Sequence, residues 1–250
     1  MRTYAIGDLH LPGGDMKPMD VFGPQWERHF ERIAEDWSRR VAEDDVVLIP
    51  GDISWAMRQQ EAEPDLRAIG ALPGRKILLR GNHDYWWSAI GRVRAALPAG
   101  MYALQNDAVV LGGQVFCGTR GWICPGEEPL NPEDVRVHAR EVVRFRLSLE
   151  TARRVAPDLP LTVLMHFPPA AERREEDSRF LSLAGEYGAS RLVYGHLHGA
   201  GLRNALAGRR GAMHIHQVSC DGLGFRLLDL EAKERETDKR ADVASEVLID

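Results

Sequence analysis

The chain has 250 residues, enough for one large α/β domain or two small ones with a substantial core. A hydrophobic share of 44% and a charged share of 28% exclude wholesale disorder. A net charge of -5 with a pI near 6.0 excludes general electrostatic attraction to nucleic acid or to an anionic membrane, although a local basic pocket stays open.

Short runs rich in β-branched residues alternate with longer segments of helical period, the pattern of α/β organisation. Thr3 to Ile6 reads as a first strand, and a loop rich in Pro and Gly follows. Trp26, Phe30, Ile33, Trp37 and Val41 then mark one face of an amphipathic helix. Val46 to Ile49 is a second strand, roughly 56 to 71 a helix, and Lys76 to Leu79 a third strand. Tyr102 to Leu104 and Val109 to Gly118 suggest further strands, the latter broken by a turn or bulge at Gly112-Gly113.

Asn131 is placed to cap a long helix that has Pro132 at its first position. Leu161 to Met165 is a strand, Ser178 to Tyr187 a short helix, and Arg191 to Tyr194 another strand. Met213 to Leu230 reads as one or two closing strands around Gly222-Leu223-Gly224. The expected division is a domain over 1–230 followed by a charged tail or terminal helix over 231–250.

Each central strand ends in a residue that can bind metal or move a proton. After TYAI comes Gly7-Asp8-Leu9-His10; after VVLIP, Gly51-Asp52; after KILLR, Gly81-Asn82-His83-Asp84; after TVLM, His166; after RLVY, Gly195-His196-Leu197-His198. Open α/β sheets bind ligands beyond the carboxyl ends of their strands, so these loops are expected to meet on one edge. Carboxylates gathered there repel one another unless cations intervene. Taken singly, each block has an ordinary reading as a turn, a helix cap or a packed histidine; together, in order and each at a strand end, they call for a common chemical one.

Carboxylate, imidazole and amide oxygen suit Mn²⁺, Fe or Zn²⁺, and the candidates outnumber the needs of a single ion. Two divalent metals about 3.5–4 Å apart would need a bridging carboxylate, for which Asp52 is the candidate.

The ordered set Asp8-x-His10, Gly51-Asp52, Gly81-Asn82-His83-Asp84, His166 and Gly195-His196-x-His198 resembles the calcineurin-like metallophosphoesterases. The resemblance implies two mixed β-sheets packed as a sandwich with helices on the outer faces. It implies one metal held by Asp8, His10, Asp52 and His198, and another by Asp52, Asn82, His166 and His196. It further implies that His83 faces the substrate, stabilising phosphoryl oxygens or protonating the leaving group, with Asp84 orienting its ring. The implied reaction is hydrolysis of a phosphomonoester or phosphodiester by in-line attack of a metal-bridging hydroxide. A non-catalytic metal-binding scaffold or interaction module on the same fold is the alternative.

Arg120, after an apolar strand, is placed to reach a substrate phosphate, and Trp122 to stack on a ring; a surface arginine and a packed tryptophan are the competing readings. Tyr85-Trp86-Trp87 favours packing of the next helix over a pocket wall. His214 and His216 alternate along a strand and read as a half-exposed face rather than a third metal site, and His29 and His138 read as structural or exposed. The expected partner is a small phosphate ester. No long nucleic acid is expected, since no basic stripe with interleaved aromatics is visible. Cys117, Cys124 and Cys220 read as reduced thiols, and no apolar run approaches the ~20 residues of a membrane span, so the expected location is cytoplasmic. Oligomeric state is not specified at this level.

Overall fold

A computed structural model describes residues 1–13, 19–126, 128–172 and 178–246. The strands are β1 (Thr3–Ala5), β2 (Val46–Pro50), β3 (Arg75–Leu79), β4 (Met101–Leu104), β5 (Ala108–Leu111), β6 (Gln114–Thr119), β7 (Leu161–Met165), β8 (Ala189–Tyr194), β9 (Gly208–Arg210), β10 (Met213–Gln217) and β11 (Leu228–Asp229). The helices are α1 (His29–Arg40), α2 (Gln59–Gly70), α3 (Ile90–Ala96), α4 (Pro132–Val155), α5 (Arg179–Glu186) and α6 (Leu230–Glu246).

Two mixed sheets result. One has five strands in the order β11-β1-β2-β3-β4, the other six in the order β5-β6-β7-β8-β10-β9. The inner strands β1 to β4 are parallel neighbours, as are β6, β7, β8 and β10, while β11, β5 and β9 add antiparallel edges.

Alternation along β2 shows why this strand is apolar throughout. Val46 and Leu48 point between the sheets, where they meet Phe116, Leu164 and Val193 of the other sheet. Val47 and Ile49 point outward onto Ile33 and Trp37 of α1 and Leu66 and Ile69 of α2. Both faces of β2 are covered, and all five of its side chains are buried and apolar. The second sheet repeats the arrangement, with Val163 and Leu192 packed outward on Phe145 and Leu149 of α4 and Phe180 of α5.

Local chemistry starts these helices where they are needed. The Asn131 side chain accepts from the backbone N–H of Glu133 and Asp134 at 3.0 and 2.9 Å, and Ser178 accepts from Leu181 N–H at 3.2 Å. Glu133 and Asp134 in the first turn of α4 and Arg153 and Arg154 in the last complement its dipole.

Two expectations change. The helix read from Trp26 starts only at His29, because Pro24–Trp26 forms a 3₁₀ turn that puts the Trp26 ring elsewhere. His216 is buried rather than half-exposed: its Nε2 lies 3.2 Å from Glu234 of α6, while His214 Nε2 lies 3.5 Å from Asp238. Arg191 adds ion pairs to Glu231 at 3.0 Å and Glu234 at 2.6 Å, and Leu230 enters the inter-sheet core, so residues 230–239 are fastened to the sheets. Among the described residues no helix is long and apolar enough to cross a membrane.

Candidate metal centre

The two sheets present their carboxyl ends to a common edge. His166, just after β7, lies with its Nδ1 3.0 Å from the Pro50 carbonyl at the end of β2, and the backbone N–H of His196, after β8, donates to both oxygens of Asp8, after β1, at 2.9 and 3.1 Å. The loops after β1 and β2 run side by side through Asp8 N–H to Gly51 O and His10 N–H to Asp52 O. Residues 188 positions apart in the chain are thereby neighbours.

Backbone strain marks this edge. Of seven non-glycine residues with positive φ among those described, four are Asp8 (58°), His10 (46°), Asp52 (50°) and His196 (72°). The left-handed conformation costs an L residue roughly 1–2 kcal/mol. It turns each side chain inward from the end of its strand, and sheet packing enforces it. Glycine is required where backbone meets carboxylate: a Cβ at Gly81 would overlap Asp52 Oδ1, and one at Gly195 would overlap Asp8 Oδ2.

Seven candidate ligands converge. Donor atoms of Asp8, His10 and His198 lie within 4.8 Å of one another, as do those of Asp8, Asp52 and His166. Asp52 Oδ2 sits between the two groups, 3.8 Å from His10 Nε2 and 3.5 Å from His166 Nε2, while its Oδ1 accepts from His83 N–H at 2.9 Å. Asn82 Oδ1 lies 2.6 Å from His166 Nε2 and 3.0 Å from His196 Nδ1.

These donors fit cations better than they fit one another. Burial pushes the Asp8 carboxyl up to about 6. Burial, together with the charges of Asp84 and Asp8, pushes Asp52 up to about 9. Burial lowers His10 and His166 well below the usual imidazole range, and lowers His196 to about 4 with the help of His198 and His83. Neutral His166 commits its only N–H, on Nδ1, to the Pro50 carbonyl, so its Nε2 lone pair faces the Asn82 oxygen and the Asp52 carboxyl. Clustered carboxyls strained towards protonation and lone pairs aimed at one another are what divalent cations relieve.

The calcineurin-like phosphoesterase profile matches residues 1–200. The chain belongs to that family. Among relatives of this family member, the gene 66 protein of Mycobacterium phage L5 is 26% identical over 200 residues, covering 79% of this chain and 77% of its own. In fold it is similar to the phosphopantetheinyl hydrolase PptH from Mycobacterium tuberculosis (TM-score 0.52, 17% identity, 87% of this chain and 88% of that one). It is likewise similar to TT1561 of Thermus thermophilus (TM-score 0.57, 15% identity, 92% of this chain and 95% of that one).

Within this family member, Asp84 differs from expectation. Its fully buried carboxylate takes backbone N–H groups from Ile53, Ser54 and Gly81 and the Trp86 indole N–H, all at 2.8–3.2 Å. The ring of His83 receives nothing from it, and His83 Nδ1 is buried without a hydrogen-bond partner. Asp84 therefore holds the second and third ligand loops together, and the His83 ring is placed by aromatic packing, 4.6 Å from Trp55 and 5.9 Å from His10.

A cavity of about 360 Å³ opens over the ligands, lined by His10, Asp52, His83, His196 and His198 and walled by Met19, Phe22, Gln25, Trp26 and Trp55. Neither Arg120 nor Trp122 lines it. Trp122 donates its indole N–H to Asp134 at 2.8 Å and packs on Phe167, which in turn lies 4.1 Å from the His196 ring, so it supports the site from behind. Arg120 stacks over Trp122 and faces a different cavity.

Asp221 escapes the sequence reading. It lies at the cavity mouth, 2.9 Å from His198 Nδ1, and accepts from Gly199 N–H at 3.0 Å. The available signal is its position in Ser219-Cys220-Asp221-Gly222, an acid beside glycine shortly after a strand, like the other blocks. Trp55, three residues after Asp52, carries no signal of its own, and the spacing of Trp26 assigns it to a helix face.

Proposed function

We propose that the protein hydrolyses a small phosphate ester carrying an apolar or aromatic organic group, using two divalent cations. The observation that carries this reading is the convergence of two donor groups around Asp8 and Asp52 at the floor of an aromatic-walled cavity. Cations held by Asp8, His10, Asp52 and His198, and by Asp52, Asn82, His166 and His196, would supply Lewis acidity and a water of lowered pKa, with Mn²⁺, Fe or Zn²⁺ suited to the donors.

The chain's own residues do the rest. His83 lines the cavity, and burial followed by the nearby His198 lowers its pKa, so the neutral ring would donate one N–H to a phosphoryl oxygen. The His83 N–H bond to Asp52 and the four donors on Asp84 keep that ring in register with the ligands. Trp26, Trp55 and Phe22 form the wall for the organic group and exclude water from it.

The test is hydrolysis of 4-nitrophenyl phosphate and bis(4-nitrophenyl) phosphate with Mn²⁺, Fe²⁺ or Zn²⁺, alongside elemental analysis. Two metal equivalents and turnover that chelator removes and metal restores are expected. Fully metal-loaded protein inert towards every mono- and diester would instead favour the scaffold reading.

A further inference from the structure

A second cavity, of about 310 Å³, lies beyond the carboxyl ends of β3, β4 and β6 and shares no lining residue with the first. Four arginines line it: Arg80 directly after β3, Arg120 directly after β6, and Arg140 and Arg144 of α4. Their lone acidic companion in that lining is Glu141. Glu141 is 1% exposed, and its two oxygens are occupied by the Thr119 hydroxyl at 2.7 Å and Arg144 Nη1 at 2.6 Å, with Arg120 at 3.9 Å. Four guanidinium groups thus meet one carboxylate in a chain whose net charge is -5.

Such an assembly has more positive charge than Glu141 balances. Arg80, which lines the cavity, has its Nε buried with no hydrogen-bond partner, so this guanidinium is not satisfied by the protein at that nitrogen. Burial, opposed by Glu141 but reinforced by Arg80, Arg144 and Arg140, lowers the Arg120 pKa, which expresses the same crowding of positive charge. Amide side chains of Gln105 and Asn106 supply further polar groups around the rim.

We propose that this cavity binds a phosphate group. Planar guanidinium forks match the oxygens of a phosphate in paired hydrogen bonds, and a dianion balances the excess charge better than a single carboxylate does. The site is joined to the metal centre through the backbone: Arg80 adjoins Gly81-Asn82, and the Arg120 carbonyl accepts from the N–H groups of His166 and Phe167 at 3.1 and 2.9 Å. The phosphate is either a second one on the substrate or that of a separate small anion. The binding claim stands apart from the proposed hydrolysis; only the kinetic comparison below rests on it.

The experiment is calorimetric titration of the metal-stripped full chain with inorganic pyrophosphate. Saturable binding is expected in the wild type and in Asp52→Asn, with Kd raised tenfold or more in Arg80→Gln and in Arg144→Gln. Arg140→Ser, on an exposed helix position, serves if Arg80→Gln does not fold. Absence of saturable binding to the wild type, or binding lost in Asp52→Asn and retained in the arginine variants, overturns the proposal. For the metal-loaded enzyme, the ratio of KM for adenosine 3′,5′-bisphosphate to KM for adenosine 5′-monophosphate separates the sources. A tenfold rise of that ratio in Arg144→Gln identifies a substrate phosphate. A wild-type ratio together with weakened pyrophosphate binding identifies a separate anion.

Discussion

The Asp221 carboxylate and Nδ1 of His198 are 2.9 Å apart, and this contact sets which nitrogen of the ring is free. Burial alone would lower His198 and raise Asp221, but their mutual bond, with the charge of Asp8 acting on His198 and the Gly199 N–H acting on Asp221, reverses both, so His198 is raised and Asp221 lowered. A carboxylate only accepts, so Nδ1 carries the hydrogen, and Nε2 points to His10 Nε2 at 3.4 Å and Asp8 Oδ1 at 3.8 Å. Metal-ligating histidines are commonly oriented this way by a carboxylate behind them.

Asp221→Ala is therefore expected to weaken metal affinity by about 10–100-fold without unfolding the chain. Chelator competition measures the affinity and circular dichroism the fold; unchanged affinity would remove Asp221 from the ligand-orienting role.

Asp52→Asn and His83→Ala should separate holding metal from using it. The Asp52 variant loses bound metal and nearly all turnover. The His83 variant keeps its metal and loses about 10²–10⁴-fold in kcat/KM. Metal content measured beside rates on an aryl phosphate decides; a His83 variant that loses its metal would make that ring a ligand.

Phe22 is 62% exposed at the cavity wall, where it touches no ligand. Phe22→Ala should raise KM for an aryl phosphate by about 2–10-fold, matching about 0.5–1.5 kcal/mol for an aromatic contact, and leave KM for a methyl phosphate nearly unaltered. Equal changes for both esters would count against the wall as the site of the organic group.

Glu234 links α6 to the sheet. Burial would raise its pKa, but the bonds from His216 and Arg191 outweigh burial and bring it to about 2 from 4.5. The folded pKa is depressed, so its contribution is complete above pH 4.5 and disappears as pH falls through about 2. Discounted for partial exposure, it amounts to about 1–2 kcal/mol. In denaturant titrations the wild type should exceed Glu234→Gln by that amount at pH 7, and the gap should narrow as pH falls from 4.5 to about 2. A pH-independent gap would mean that packing, not charge, holds α6.

Much of the site is legible in the sequence because its signals are local. Asp8, Asp52, Asn82, His166 and His196 each follow an apolar run by one to three residues, where the backbone leaves the sheet and polar side chains become frequent. Asp84 is legible as part of its block but not in its role, since its four partners come from two loops, and two of them, Ile53 and Ser54, lie 31 and 30 residues away. Arg120 stands at a strand end as expected, yet the cavity it faces depends on how α4 lies across β6.

The sequence by itself determined the alternation of strands and helices, the order of the ligand-bearing blocks and the family they resemble, because period, glycine and strand-end chemistry act over a few residues. Only the tertiary structure decided that Asp8, His10, Asp52 and His196 adopt left-handed backbone, that Asp221 stands behind His198, and that the arginines form a pocket of their own. Those outcomes turn on side-chain direction and on contacts between residues far apart in the chain, which the packing of two sheets against each other settles and no local pattern encodes.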